Sequence, residues 1–193
     1  MPHDDYDDDL IRRILTSVKT IAMVGASSNV VRPSYFVFKY LTERGYDVIP
    51  VNPAQAGNQL RGHPYYARLA DIPKPIDMVD IFRGAEHAPA IVAEALALDP
   101  RPKVIWMQLG VRNDAAAATA EAAGLTVIMN RCPKIEYGRL SSEISWLGVN
   151  SRTISARRAP APTTAFQKLS LNRATIGSPV PTHGHDSGRK DGH

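Results

Sequence analysis

The sequence predicts an α/β protein built on a doubly wound parallel sheet, and three observations predict it. Five short apolar runs are nearly continuous, as parallel strands covered on both faces are, instead of alternating with polar residues. Helical patterns lie between these runs. Regular alternation of strand and helix implies right-handed crossovers, which place helices on both faces of the sheet.

The five predicted strands are rich in Val, Ile and Met. They cover residues 21–25, 47–51, 76–82, 103–108 and 125–130. Each run is too short to form a long helix, and each is followed by glycine, proline or polar residues, which favours buried strands over buried helical segments.

Helix signals separate the strands. The predicted helices cover residues 8–18, 34–44, 86–98 and 113–123, with a shorter helical turn at 66–70. The first has acidic residues in its first turn, which suits the positive end of a helix dipole. Gly45 and Gly124 are predicted C-terminal caps, and Asp99-Pro100 predicts the end of the third helix.

Length and composition favour one soluble domain. The chain has 193 residues, 44% of them hydrophobic and 22% charged, which is ordinary for a globular protein. No apolar run approaches the roughly 20 residues of a membrane span. The N-terminus is acidic where a signal peptide is basic, so we expect a cytoplasmic protein without membrane contact. Cys132 is a lone cysteine and cannot form an internal disulfide.

The basic charge is concentrated at the C-terminus. Residues 151–193 carry a net charge of +5, whereas residues 1–150 carry −1. A body without excess positive charge argues against specific nucleic-acid binding. Periodicity fades after Trp146, and Pro- and Gly-containing stretches follow. We therefore predict a domain at 1–150 and a disordered, low-complexity basic tail at 151–193.

Candidate ligand residues collect after the strands, where ligands of such sheets bind. Gly25, Ala26 and Ser27 follow the first strand and lead to Arg32 and Ser34 at a helix start, a combination suited to phosphate. The alternative interpretation of Arg32 is a solvated loop residue. The dinucleotide fingerprint would need two further glycines in this loop, and the sequence lacks both, so NAD in its usual pose is disfavoured.

Asn52 and Pro53 follow the second strand. NAD-binding folds usually place a carboxylate there to bind the ribose hydroxyls. An uncharged Asn52 suits a ribose that bears a 3′-phosphate, although Asn-Pro could also serve only to start a turn.

The later strand ends add further candidates. Phe82 and Arg83 follow the third strand, and Arg83 could bind a phosphate or pair with Glu86. His87 is interpreted as a surface helix residue more readily than as a base. Gln108 and Gly110 follow the fourth strand and suit a ligand rich in amides.

Cys132 follows the fifth strand, between Arg131 and Lys134. Neighbouring cations lower the pKa of a thiol and raise its reactivity, so a redox role is one hypothesis. The alternative is a small, buried and inert side chain. We identify no metal site and no catalytic residues, because the histidines at 183, 185 and 193 lie in the low-complexity tail and nucleophile-elbow, Walker and Cys-x-x-Cys motifs are lacking.

Six sequence blocks, in order, resemble those of the stand-alone CoA-binding proteins. They lie at 24–27, 32–34, 50–53, 77–83, 106–110 and 131–136. The Rossmann-like domain of that family is similar to the N-terminal domain of the succinyl-CoA synthetase α subunit. The resemblance covers residues 8–147. It implies that residues 25–34 hold the phosphates of coenzyme A, that residues 51–53 lie near the adenosine, and that Phe82, Arg83 and residues 108–110 line the ligand cleft.

The function expected from this resemblance is a small protein that binds CoA or acyl-CoA as a carrier, sensor or docking module, without catalytic turnover of its own. One alternative is a component of a CoA ligase or transferase that acts with a partner subunit. In succinyl-CoA synthetase the phosphorylated histidine sits in a following domain, and the predicted tail stands at that place in this sequence, so we expect no ligase chemistry from this chain alone. Another alternative is a redox module that binds NAD or another nucleotide, which the first loop and Asn52 argue against.

Overall fold

The computed structural model of the chain describes residues 3–141. Its main sheet has five parallel strands in the order β2-β1-β5-β6-β7. These strands are β1 Thr20–Val24, β2 Asp47–Val51, β5 Met78–Ile81, β6 Val104–Met107 and β7 Thr126–Ile128. The predicted fold class is therefore confirmed. Strand β2 has its predicted bounds and β1 begins one residue earlier than predicted, whereas β5, β6 and β7 are shorter than predicted.

Within residues 3–141, five helices flank the sheet. They are α1 Asp8–Ser17, α2 Pro33–Glu43, α3 Ala88–Leu96, α4 Asp114–Ala122 and α5 Pro133–Leu140. Helices α1 and α2 each pack against α5, and the buried residues of these helices belong to a core on one face of the sheet. Helices α3 and α4 pack together over the other face.

The first four helices match the sequence patterns within a few residues. The predicted third helix is divided, because a 3-10 turn at Ala85–His87 precedes α3. The predicted turn near 66–70 is a 3-10 turn at Leu69–Asp71.

The sequence patterns missed two features. Helix α5 was not predicted, because its eight residues contain a glycine and lack an apolar stripe. A small hairpin of β3 Gln59–Leu60 and β4 His63–Pro64 was also missed, since each of its strands has only two residues. The predicted tail at 151–193 lies outside the described residues.

The strand order creates a crevice at the carboxyl edge of the sheet. Helix α2 connects β1 to β2 on one face, whereas α3 and α4 connect the later strands on the other face. The direction of winding therefore reverses between β1 and β5, and ligands of doubly wound sheets bind at this switch point. Within residues 3–141, no helix is long and apolar enough to cross a membrane.

Candidate functional site

The β1–α2 loop, residues 25–32, begins at the switch point with a glycine in the left-handed backbone region. Gly25 has φ of +89°, and an added Cβ would lie 2.8 Å from the carbonyl oxygen of Phe82 and 2.9 Å from Cδ of Arg83. Its N–H donates to the carbonyl of Val51 at 2.8 Å. Only glycine fits this point, where the ends of β2, β1 and β5 come together.

Side-chain oxygens shape the rest of this loop. The N–H of Ser27 donates to Ser34 Oγ at 3.2 Å, and Asn29 Oδ1 accepts from the N–H of Val31 at 3.0 Å. Among residues 3–141, no hydrogen-bond partner is found for the N–H groups of Ala26 and Ser28. Unpaired N–H groups beside the start of a helix are suited to an anion.

Asn52 connects the end of β2 to this loop. Its Nδ2 donates to the carbonyl of Ala26 at 2.9 Å, and its Oδ1 accepts from the N–H of Ala54 at 3.1 Å. The second bond caps the 3-10 turn that begins at Pro53, so the turn interpretation of Asn-Pro describes its local role. Both ends of the amide are therefore used within the protein.

A cleft of about 520 Å³ lies over the ends of β5 and β6, between α2 and α5. Four segments line it: Pro33, Phe36 and Val37 of α2; 82–84 after β5; 108–111 after β6; and Cys132, Lys134 and Ile135 at α5. Most of these side chains are apolar. The exposed side chains of Phe36 and Leu109 form part of the lining.

The cleft has a positive electrostatic character. The N-termini of α2 and α5 both adjoin it, and each contributes the positive end of a helix dipole. Arg83 and Lys134 line it, and Lys134 Nζ lies 5.7 Å from the ring centre of Tyr40. Among the described residues, neither cation forms a salt bridge with a carboxylate. The alternative pairing of Arg83 with Glu86 is therefore not observed.

Glu86 instead lies 3.4 Å from Nε2 of His87. The His87 side chain is 48% exposed and does not line the cleft, which agrees with its interpretation as a surface residue.

One wall of the cleft is buried and polar. We call Asp80, Gln108 and Cys132 the buried wall. Asp80 is fully buried, and Gln108 Nε2 donates to its two carboxyl oxygens at 2.9 and 3.1 Å. Burial raises the pKa of Asp80 to about 7, and the hydrogen bond from Gln108 opposes this rise. A carboxyl group that titrates near neutral pH therefore lies directly behind a residue that lines the cleft.

Cys132 lacks the lowered pKa that the redox hypothesis needs. Burial raises the pKa of this thiol to about 11, and the charge of Asp80 adds to the rise. Hydrogen bonds from the backbone N–H groups of Ile135 and Lys134 and, least of all, the charge of Lys134 lower this pKa. Arg131 lies over the ring of Tyr6, and its guanidinium donates to the carbonyls of Asn130 and Asp4. Desolvation outweighs the neighbouring cations, so the structure favours the buried and inert interpretation.

The structure brings five of the predicted site residues into the cleft lining. They are Phe82, Arg83, Gln108, Gly110 and Cys132. The others lie outside that lining, toward β1 and β2. They are Gly25, Ala26, Ser27, Arg32, Ser34, Asn52 and Pro53. The close approach of Gly25 to Phe82 joins the two groups along one edge of the sheet, and the hydrogen bond from Asn52 to Ala26 links members of the second group.

Sequence reasoning missed several cleft residues. Phe36 and Val37 lie on the helical face that begins at Pro33, a spacing that could have indicated them. Asp80 was overlooked although a carboxylate within the apolar run 78–81 is itself a signal, because a buried charge needs a reason. The sequence indicates Lys134 only as a cation next to Cys132.

Solved structures and a curated relative share this architecture. The protein ID.343 from Thermus thermophilus is 37% identical, with a TM-score of 0.66, over 70% of this chain and 99% of its own. Prb, a protein redesigned for binding, is 39% identical, with a TM-score of 0.68, over 79% of this chain and all of its own. YneT of Bacillus subtilis is 37% identical over 127 residues, which are 66% of this chain and 91% of YneT.

A family model described as a CoA binding domain matches residues 19–138. The match runs from the residue before β1 into α5, so it contains all five strands of the main sheet, the β1–α2 loop and the cleft. This chain belongs to that family of CoA-binding domains.

Proposed function

We propose that this protein binds coenzyme A or an acyl-CoA across the carboxyl edge of its sheet and holds it without catalytic turnover of its own. The observation that carries the proposal is the continuity of two unlike surfaces. A loop with unpaired N–H groups at Ala26 and Ser28 passes through Gly25 into an apolar cleft. CoA has two matching parts in the same order, since its phosphorylated nucleotide continues into an uncharged pantetheine arm.

In this arrangement the diphosphate lies on the β1–α2 loop and the start of α2. Arg32, the N-cap residue of α2, and Arg83 are exposed cations on the two sides of the switch point. Guanidinium groups donate several hydrogen bonds to phosphate oxygens. The pantetheine arm then enters the cleft over β5 and β6, and Phe36 and Leu109 offer apolar surface to an acyl group.

The alternative ligand NAD fits these residues less well. Ser27 and Val30 stand where the dinucleotide fingerprint has glycines that allow close approach of the pyrophosphate. Asn52 offers no carboxylate to ribose hydroxyls, and its amide is already bonded to Ala26 and Ala54. A CoA ligase or transferase component would use the same ligand site, and no feature of the described residues favours it over simple binding.

Isothermal titration of the full chain with CoA, NAD and ATP tests the proposal. We expect CoA to bind tightest, because it alone combines a 3′-phosphate with a pantetheine arm. Binding of NAD with equal or higher affinity would overturn it. Incubation with acetyl-CoA, followed by measurement of free CoA thiol, tests the absence of turnover. Release of free CoA thiol faster than in buffer alone would show that the protein is an enzyme.

A further inference from the structure

In the buried wall, hydrogen bonds to Asp80 set the orientation of the side-chain amide of Gln108. Gln108 is 5% exposed, lines the cleft, and directs its Nε2 toward both carboxyl oxygens of Asp80. An ionised carboxylate only accepts hydrogen bonds, so it must face the nitrogen of this amide and not the oxygen. The orientation thus follows from the chemistry of the pair.

The carbonyl oxygen of Gln108 remains available to accept a hydrogen bond in the cleft. No described residue donates a hydrogen bond to Gln108 Oε1. In the described part of the chain, the Tyr65 hydroxyl is the only buried side-chain oxygen or nitrogen without a partner, so Gln108 Oε1 is not sealed inside the protein. It is an acceptor at the surface of a mostly apolar cleft, and such a group selects a ligand that brings a donor.

We propose that Asp80 is a positioning residue that holds the Gln108 carbonyl toward the cleft, where it accepts a hydrogen bond from an amide N–H of the pantetheine arm. This inference rests on the proposed binding of CoA. The pantetheine arm contains two secondary amides, and each has one N–H donor. The adenosine and phosphate parts of CoA contribute nothing to this bond.

The orientation of the Gln108 amide depends on the ionisation of Asp80. Once protonated, Asp80 can donate to the Gln108 oxygen, and the amide is then free to reverse and present its nitrogen to the cleft. The groups around Asp80 leave it as the titrating residue near neutral pH. Cys132 faces it from the start of α5 with a pKa of about 11, and its sheet neighbours in register, Met23 and Trp106, do not titrate.

Helix α5 also packs on this face, and it carries Lys134, which lines the cleft, and the buried Glu136, whose carboxylate pairs with Arg139. Helices α1 and α2 contribute buried apolar side chains to the core that contains Met23 and Trp106. We therefore expect binding of the pantetheine arm to favour the ionised form of Asp80, so that affinity for CoA weakens as the pH falls below about 7.

The test uses two ligands and two variants of the full chain. The ligands are CoA and adenosine 3′,5′-bisphosphate, which keeps the phosphorylated nucleoside but lacks the arm. At pH 8 we expect Gln108→Met, which preserves volume but removes the acceptor, to weaken CoA binding roughly tenfold and to leave bisphosphate binding unchanged. An unchanged CoA affinity, or an equal loss for both ligands, would overturn the inference.

The second variant, Asp80→Asn, tests the positioning role. We expect the wild type to bind CoA a few-fold more tightly than this variant at pH 8, and the difference to disappear at pH 5.5. Titration of the CoA phosphates cancels, because the same ligand is compared at each pH. A constant ratio across pH would reject the role of Asp80. Failure of the wild type to bind CoA would instead reject the proposed function.

A measurement without ligand keeps the test decisive if either variant folds poorly. The side-chain amide protons of Gln108 in the wild type should shift in NMR spectra with a midpoint near pH 7. Resonances that stay unchanged between pH 5.5 and 8.5 would show that Asp80 does not control this amide.

Discussion

The β1–α2 loop and the buried wall lie on the same sheet edge but are built in opposite ways. The loop is mostly exposed, and its side-chain oxygens bond to its own backbone and leave some N–H groups unpaired. The wall is buried, and its amide is committed to a carboxyl group. Removal of a charge from the loop should therefore change the affinity for CoA without changing the stability of the protein. A substitution in the buried wall should change both the affinity and the stability.

The wall should produce the largest effect, through the pH dependence of stability. An unfolded Asp titrates near 3.9, whereas burial raises the pKa of Asp80 to about 7 in the folded protein. Between these pH values the folded state retains a proton that the unfolded state has lost, so this group lowers the free energy of unfolding as the pH rises. The integrated loss is about 4 kcal/mol by pH 8.

Asp80→Asn removes this titration. In chemical denaturation we expect the variant to be more stable than the wild type at pH 8 by up to about 4 kcal/mol, with the difference vanishing near pH 4. Other titrating groups cancel in the comparison. A difference that is independent of pH would mean that the pKa of Asp80 is the same in the folded and unfolded states, as it is for an exposed residue.

A second test separates the cost of the left-handed backbone at Gly25 from the cost of its close approach to Phe82. Gly25 and Gly45 have nearly the same φ, +89° and +86°, but an added Cβ meets the Phe82 carbonyl at 2.8 Å only in the first case. Both Gly→Ala changes should cost about 1–3 kcal/mol through the left-handed backbone. Gly25→Ala should cost at least about 1 kcal/mol more and should also impair CoA binding.

Thermal unfolding of the two variants, with CoA titration of each, provides the comparison. If the two melting temperatures fall equally, the close approach of β1 to Phe82 is not a constraint.

The third test concerns the exposed cations. Arg83→Ala and Arg32→Ala should each weaken CoA binding by roughly 1.5–3 kcal/mol if they make charge-assisted bonds to phosphate. The melting temperature of the ligand-free protein should not change, because both side chains are exposed. Arg101→Ala is the matched control, since Arg101 precedes β6 at the opposite edge of the sheet. Equal losses in all three variants would indicate a general charge effect.

Sequence patterns predicted the loop more completely than the wall. A glycine, a run of small residues and an Arg-Pro-Ser helix start are local signals, and they sufficed to locate residues 25–34 at a strand end. The pairing of Asp80 with Gln108 joins residues 28 positions apart through the register of β5 and β6. Likewise, the effect of Arg131 and Lys134 on Cys132 could not be weighed against burial until the packing of α5 was known.

The smallest expected effect is at Cys132. Because this residue belongs to the buried wall, we expect almost no disulfide exchange between its thiol and CoA disulfide. Disulfide exchange needs the thiolate, and with a pKa of about 11 only a small fraction of Cys132 is ionised at pH 7.5. Incubation with CoA disulfide should therefore leave the intact mass of the folded protein unchanged, whereas the same treatment in denaturant should add one CoA. Cys132→Ser is the control, since it should show no adduct in either condition. A reductant-reversible adduct that forms rapidly on the folded wild type would show that burial does not suppress the ionisation of Cys132 in the cleft.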